Sequence, residues 1–118
     1  MTALGQFVYT RTYSRYLEDK QRREYWKETV RRATEFNLGL KIKHLVAQGI
    51  SYDLKQIQHE AELLFDDMFN LRRFLSGRTL WVGGANNGLA ERYALANFNC
   101  AFTNVRKWHD LVDLFYLL

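Results

Sequence analysis

The residue with the widest chemical range in this chain is Cys100, the only cysteine among 118 residues, set in the stretch "ANFNCAFTN" (96–104). A thiol can serve as nucleophile, metal ligand, redox partner or small apolar filler, and its surroundings decide among these. Phe98, Cys100 and Phe102 recur at steps of two, so in a strand all three share one face. A cysteine between two phenylalanines is ordinarily a buried small hydrophobe. No Lys or Arg lies within four positions to lower its pKa, and Arg106 and Lys107 are the nearest cations after it. A hydrolytic thiol needs a histidine base; His109 is available in sequence, but nothing in the sequence brings it close. Taken alone, these residues leave the role of Cys100 open.

Other chemistry-bearing residues are sparser. His59, followed by Glu60, has no second histidine or cysteine at ligand spacing, so no metal site is expected. The glycines at 77, 83, 84 and 88 in "SGRTLWVGGANNGL" (76–89) invite comparison with phosphate-binding loops. Neither G-x-x-x-x-G-K-[ST] nor G-x-G-x-x-G is present, which rejects nucleotide loops of those types.

These residues need elements to hold them. "FVYTRTYSRY" (7–16) alternates polar with apolar and is rich in aromatic and β-branched types, which predicts a short strand or extended arm. From about Arg22 to Phe36 the period changes, with Trp26, Val30, Ala33 and Phe36 marking an amphipathic helix. Asp19 is its expected cap, and Asn37 and Gly39 its expected stop. A second short helix follows through "LKIKHLVAQ", ending at Gly49. Ser51 or Asp53 then caps a longer helix built on Leu54, Ile57, Ala61, Leu64, Phe65 and Met68, ending near Arg72–Phe74. Lys55, Gln58, Glu62 and Asp66 form its outer face. Thr79–Val82 reads as a short strand followed by a flexible glycine-rich loop, "ERYALA" as a helical turn, and "NFNCAFTNV" as a strand. "KWHDLVDLFYLL" starts a helix with apolar Leu111, Val112, Leu114, Phe115 and Leu118. The chain stops there without a cap, so it is expected to be cut from something larger.

With 47% apolar and 25% charged residues, the composition is that of one folded domain with a modest core. No apolar run is long enough to span a membrane, and the N-terminus lacks the layout of a secretory signal. A lone cysteine forms no internal disulfide, so a reducing, cytoplasmic setting is expected. The net charge of +4 is weighted toward Arg11, Arg15, Lys20, Arg22, Arg23, Lys27, Arg31 and Arg32. Glu18, Asp19, Glu24, Glu28 and Glu35 are interleaved with them, which predicts a solvated helix face with pairs four residues apart.

"YTRTYSRYLEDKQRREYWKETVRRATEFN" (9–37) resembles the N-terminal signature of the adenosylcobalamin-dependent, class II ribonucleoside-triphosphate reductases. "SGRTLWVGG" (76–84) is similar to that family's Ser-Gly-Arg-x-Leu-Trp segment, and "FNCAF" (98–102) to its Asn-Cys-x-Phe strand. The chain departs from the pattern at Leu75, where the family usually has proline, and at Phe98, where an asparagine is common. The resemblance implies an α/β fold. Residues 1–74 would be an arm plus helical region, and 75–118 the start of a ten-stranded α/β barrel, incomplete at its C-terminus. It implies that Cys100 is one of two redox-active thiols below the ribose, the partner thiol and the radical-bearing cysteine lying outside this chain. Asn99 would donate hydrogen bonds to the substrate, and Phe98 and Phe102 would keep water from the radical. The implied cofactor is adenosylcobalamin, bound by the rest of the enzyme and generating the radical by Co–C homolysis. An external dithiol, of thioredoxin type, would reopen the disulfide. A ribonucleoside triphosphate would be the substrate, with no specific nucleic acid or membrane as partner, and the chain alone would be inactive.

Two other functions fit the residues without the resemblance. A small basic module can bind nucleic acid through Arg11–Arg32 with Tyr9, Tyr13 and Tyr16, and would do so in a salt-sensitive way. An accessory domain can dock through the apolar C-terminus.

Overall fold

The computed structural model describes residues 1–85, 88–94, 98 and 104–117. Six of the nine residues of the expected strand "NFNCAFTNV" (97–105) fall outside these, among them Asn99, Cys100 and Phe102. The described residues are mainly helical, with one small antiparallel ribbon.

Helix α1 (Ala3–Thr12) replaces the extended arm expected over 7–16. Thr2 caps it, its hydroxyl accepting the Gly5 N–H at 3.1 Å. The alternation read as strand yields to a helical stripe in which Tyr9 is buried, its ring meeting Trp26 edge-on at 5.3 Å. Burying that aromatic pair outweighs the weak β-propensity of the segment. The extended conformation is confined to β1 (Tyr16–Leu17), which pairs with β2 (Arg22–Arg23) in the register Tyr16↔Arg23 and Leu17↔Arg22.

Helix α2 (Trp26–Ala47) is one continuous element where two were expected. Asn37 does not stop it, because its side chain donates to the Ala33 carbonyl at 2.8 Å inside the helix. Gly39 keeps a negative φ and leaves the helix unbroken. Gly49 does end it, with φ +68 and a pair of closing bonds, Gly49 N–H to Val46 O and Ile50 N–H to Leu45 O. Asp19 lies in the ribbon turn and does not cap α2. The cap comes from within, the Glu28 carboxylate accepting the Tyr25 N–H at 2.8 Å.

Helix α3 (Leu54–Phe69) begins as expected at Asp53, whose carboxylate accepts the Lys55 N–H at 2.9 Å. It ends before Arg72, at a left-handed Leu71. Thr79–Val82, expected as a strand, lies in helix α4 (Gly77–Val82), because Ser76 caps that turn and buries Leu80 inward. Val30, Ala33, Met68 and Leu80 form the centre of the core, with Tyr13, Trp26, Leu64, Phe65 and Leu75 packed around them. Helices α5 (Leu89–Arg92) and α6 (Trp108–Leu117) follow. The helix expected from "KWHDLVDLFYLL" is found as α6, and Asp110 caps it by accepting the Arg106 and Lys107 N–H groups at 2.7 and 2.8 Å; α5 begins before the turn expected over "ERYALA" and shares only Glu91 and Arg92 with it. The ten-stranded barrel is not shown by the described residues.

Candidate functional site

A glutamate just before α2 organises the polar interior. Glu24 is 6% exposed, and its carboxylate meets the Arg32 guanidinium in a two-pronged pair, Nε to Oε1 at 2.8 Å and Nη2 to Oε2 at 2.9 Å. Thr29 donates its hydroxyl to Oε2 at 2.8 Å. The Glu24 backbone is tied in as well. Its N–H donates to the Arg15 carbonyl at 2.7 Å, and its carbonyl accepts from Ser14 Oγ at 2.8 Å and Tyr9 OH at 3.0 Å. Tyr9 OH and Thr29 Oγ1 are also 2.8 Å apart. The hydroxyl protons of Tyr9 and Thr29 therefore serve three contacts. The carboxylate, as the charged acceptor, takes the Thr29 proton, and Tyr9 divides its own between Thr29 and the Glu24 carbonyl.

The charges around 11–35 thus differ from the expected solvated face. Arg31 does pair with Glu35 four residues on, at 2.7 Å in solvent. Glu24 and Arg32 are instead buried together, because Glu24 precedes the helix and reaches it from the ribbon. Arg22 and Lys20 converge on Glu28 at 2.7 and 3.0 Å, and Arg22 lies 4.1 Å over the Tyr25 ring. Arg23 donates to the Ser14 carbonyl at 2.7 Å. These guanidiniums are engaged within the fold, which leaves fewer cations for a phosphate backbone.

Electrostatics assign this cluster a holding role. Burial acts to raise the Glu24 carboxyl, but hydrogen bonds from Arg32 and Thr29 outweigh it and hold the group below its ordinary value. The hydrogen bonds from Arg22 hold the Glu28 carboxyl lower still. Burial pushes the Tyr9 phenol up. A carboxylate fixed in its ionised form is unsuited to proton transfer near neutral pH. No group of three His, Cys, Asp or Glu that would hold a metal occurs among the described residues.

What the cluster holds is α4. Arg32 Nη1 donates to the Gly83 carbonyl at 2.5 Å, its Nη2 to the Leu80 carbonyl at 2.9 Å, and Arg15 Nη1 to the Trp81 carbonyl at 3.1 Å. The unpaired carbonyls at the end of α4 are therefore capped by two arginines from elsewhere in the chain. The glycines expected to make a flexible loop are close contacts. A Cβ on Gly77 would lie 3.0 Å from the Tyr13 ring, and one on Gly83 would lie 2.6 Å from the Thr79 carbonyl oxygen. At the other end, Ser76 Oγ accepts the Thr79 N–H at 3.2 Å. Arg78 projects from α4 and donates through Nη1 to the Phe98 carbonyl.

Two of the three segments that suggested a family, 9–37 and 76–84, are thus joined in space. Ser14 and Arg15 of the arm, Thr29 and Arg32 of α2, and the Ser-Gly-Arg-x-Leu-Trp segment as α4 share one polar framework. The Ribonucleotide reductase alpha domain model matches residues 1–85. This chain belongs to the ribonucleotide reductase family. The adenosylcobalamin-dependent ribonucleoside-triphosphate reductase of Lacticaseibacillus paracasei is 38% identical over 103 residues, covering 87% of this chain and 14% of that protein. The protein of the same name from Lactobacillus leichmannii is 38% identical over 104 residues, with the same coverage of 87% and 14%. A crystal structure of a B-12 dependent (class II) ribonucleotide reductase superposes with a TM-score of 0.62 at 37% identity, over 70% of this chain and 11% of that one. The chain therefore spans about 14% of the length of the curated relatives it matches. For this reductase-family chain, the buried framework of Tyr9, Ser14, Glu24, Thr29 and Arg32 went unread in the sequence. Its only signal was Thr29 and Arg32 sharing one side of a helix that follows Glu24.

A cleft of 510 Å³ opens beside the framework, lined by Arg15, the ribbon residues Tyr16–Asp19, Glu24, Arg32 and Ala85. A second, more apolar cleft of 580 Å³ runs between α1, Trp26, Phe74 and Leu80. Neither has the size for a corrin with its nucleotide loop and adenosyl group, so the described residues do not fit adenosylcobalamin. His109 is exposed on α6. No helix among the described residues is long and apolar enough to cross a membrane.

Proposed function

We propose that this chain is the N-terminal part of an adenosylcobalamin-dependent ribonucleoside-triphosphate reductase, with Cys100 as one of the two thiols that reduce the ribose. The reading is supported by relatives 38% identical over 87% of the chain that bear this name, and the role of Cys100 by the resemblance of "FNCAF" to the family's Asn-Cys-x-Phe strand. The chemistry is a two-electron reduction. The 2′-hydroxyl leaves as water after gaining a proton from a thiol, and a pair of thiols supplies two electrons and closes to a disulfide. The chain holds one cysteine, so the second thiol and the radical-bearing cysteine belong to the remainder of the enzyme. Asn99 donates a hydrogen bond toward the substrate. An external dithiol, of thioredoxin type, reopens the disulfide by exchange. Other parts of the enzyme would hold adenosylcobalamin, which would supply the radical there. Residues 75–118 then lead into the catalytic barrel, and residues 1–74 form the helical region beside it.

The test is Cys100→Ser in the complete reductase that carries this sequence. The variant is expected to fold normally and to lose multiple turnover with an external dithiol, because serine forms no disulfide. Sustained deoxyribonucleotide production by that variant would overturn the assignment of Cys100.

A further inference from the structure

Two apolar surfaces among the described residues lie open, and their chemistry matches. One is α6. Its Trp108, Phe115 and Tyr116 are 81%, 81% and 84% exposed, and Val112 between them is exposed as well. The spacing puts all four on one side of the helix. The other is the apolar cleft of 580 Å³, lined by Leu4 and Val8 of α1 together with Trp26, Phe74 and Leu80. Leu4 and Phe74 face solvent there. The cleft walls, α1 and residues 71–82, hold Arg11, Arg72, Arg73 and Arg78 and no Asp or Glu. Arg72 and Arg73 already pair with Asp66 and Asp67, whereas Arg11 lies exposed over the Phe7 ring at 5.6 Å. Helix α6 is the converse, with Asp110 and Asp113 and no Lys or Arg. Asp110 is taken up by the helix cap, and Asp113 is exposed beside the apolar side.

We propose that these surfaces are the two halves of one interface between copies of this chain, α6 of each copy lying in the cleft of the other. A helix that offers apolar side chains at i, i+4 and i+7 to an apolar groove is a recurring mode of recognition. Area supports a second copy as the occupant. Each buried aromatic side chain removes about 150–250 Å² from water, so Trp108, Phe115 and Tyr116 together bury roughly 400–600 Å² in the cleft. The cleft loses a similar area. With each copy giving one helix and receiving one, roughly 800–1,200 Å² is buried per partner, against about 800 Å² in a stable interface. A single contact of this kind would leave the other helix and cleft open. The reciprocal one covers both and closes about a two-fold axis. Charge acts in the same direction, because the acidic flank of α6 meets the wall that carries Arg11. The inference concerns the 118-residue chain itself and rests on no assigned role for Cys100.

The experiment measures the mass of the chain by sedimentation equilibrium over a range of concentrations, for the native chain and for Leu4→Glu and Phe115→Glu. The first variant puts a charge in the cleft and the second on α6, and both positions are exposed, outside the core. The native chain is expected to reach twice its 14.1 kDa as concentration rises. Each variant is expected to stay at the mass of one chain. Mixed together, the two should associate at concentrations where neither does so alone. Leu4→Glu keeps a native α6, and Phe115→Glu keeps a native cleft to receive it. A mixture that stays single would overturn the pairing in favour of helix on helix or cleft on cleft. A native chain that stays single at every concentration would overturn it too, as when α6 seats on its own cleft. So would a mass that keeps rising beyond two copies, which marks an open head-to-tail array. Far-ultraviolet circular dichroism checks that the variants keep their helices, and Leu4→Gln or Phe115→Gln replaces one that does not. The readout is mass, so Cys100→Ser in the complete reductase can fail while this interface stands, and the reverse.

Discussion

Arg32 grips Glu24 through Nε and Nη2 at 2.8 and 2.9 Å while its Nη1 holds the Gly83 carbonyl at 2.5 Å, so one side chain joins the ribbon to the end of α4. Their side chains are 13% and 5% exposed, so Glu24 is buried and Arg32 nearly so. Removing one partner of such a pair leaves an uncompensated charge and costs about 3–5 kcal/mol. A domain of this size has about 5–15 kcal/mol in total. Arg32→Met and Glu24→Gln are each expected to lower the denaturant midpoint strongly. The double variant should lose less than the two losses added, by about 1–3 kcal/mol, because neither charge is then stranded. Equilibrium unfolding of the three variants measures it, and strict additivity would show that the pair is uncoupled.

Periodicity found what depends on local sequence. Asp53 as a cap, the apolar face of α3 at Ile57, Leu64 and Met68, and the start of α6 all follow from residues a turn or two apart. Misreadings arose where distant contacts decide. Thr79–Val82 has strand-forming residues, yet Leu80 is drawn into a core made by α2 and α3, and Ser76 caps the turn. Over 7–16, burial of Tyr9 against Trp26 overrides alternation that no neighbouring strand rewards. Asn37 and Gly39 look like a helix end, but α3 packs alongside and the helix continues. The framework around Glu24 was hardest to see, since its members come from the arm, the ribbon and α2, and their charges look like any solvated face. Cys100 and Asn99 lie outside the described residues, and their roles rest on the resemblance in sequence.

Two glycines separate permission from necessity. A Cβ on Gly39 would meet nothing within 4 Å, and its φ is ordinary for a helix. Gly39→Ala should therefore stabilise the chain by about 0.5–1 kcal/mol, because alanine loses less backbone freedom on folding. A Cβ on Gly83 would sit 2.6 Å from the Thr79 carbonyl oxygen and 2.9 Å from the Phe36 ring. Backbone cannot yield as a flexible side chain does, so Gly83→Ala should destabilise by about 1–3 kcal/mol. Thermal melting of the two variants checks the opposite signs. A neutral Gly83→Ala would mean that α4 is not held as closely as Arg32 implies.

Acid should dismantle the same framework in a defined direction. The carboxyls of Glu24 and Glu28 are both held below their ordinary value in the fold, Glu24 by Arg32 and Thr29 against the effect of burial, Glu28 by Arg22, Tyr25 and Lys20. As the pH falls, the unfolded chain takes up protons at these positions before the folded chain does. Their stabilisation is therefore complete above the unfolded value of about 4.3 and is lost as pH drops through the lower folded values. The urea midpoint should change little on account of these groups between pH 7 and about pH 5, then fall steeply below about pH 4.3. Glu28→Gln removes one of the two depressed groups, so its midpoint should start lower at pH 7 and decline less on acidification. A variant that keeps the full acid limb of the native chain would show that Glu28 is not bound by Arg22 and Lys20 in solution.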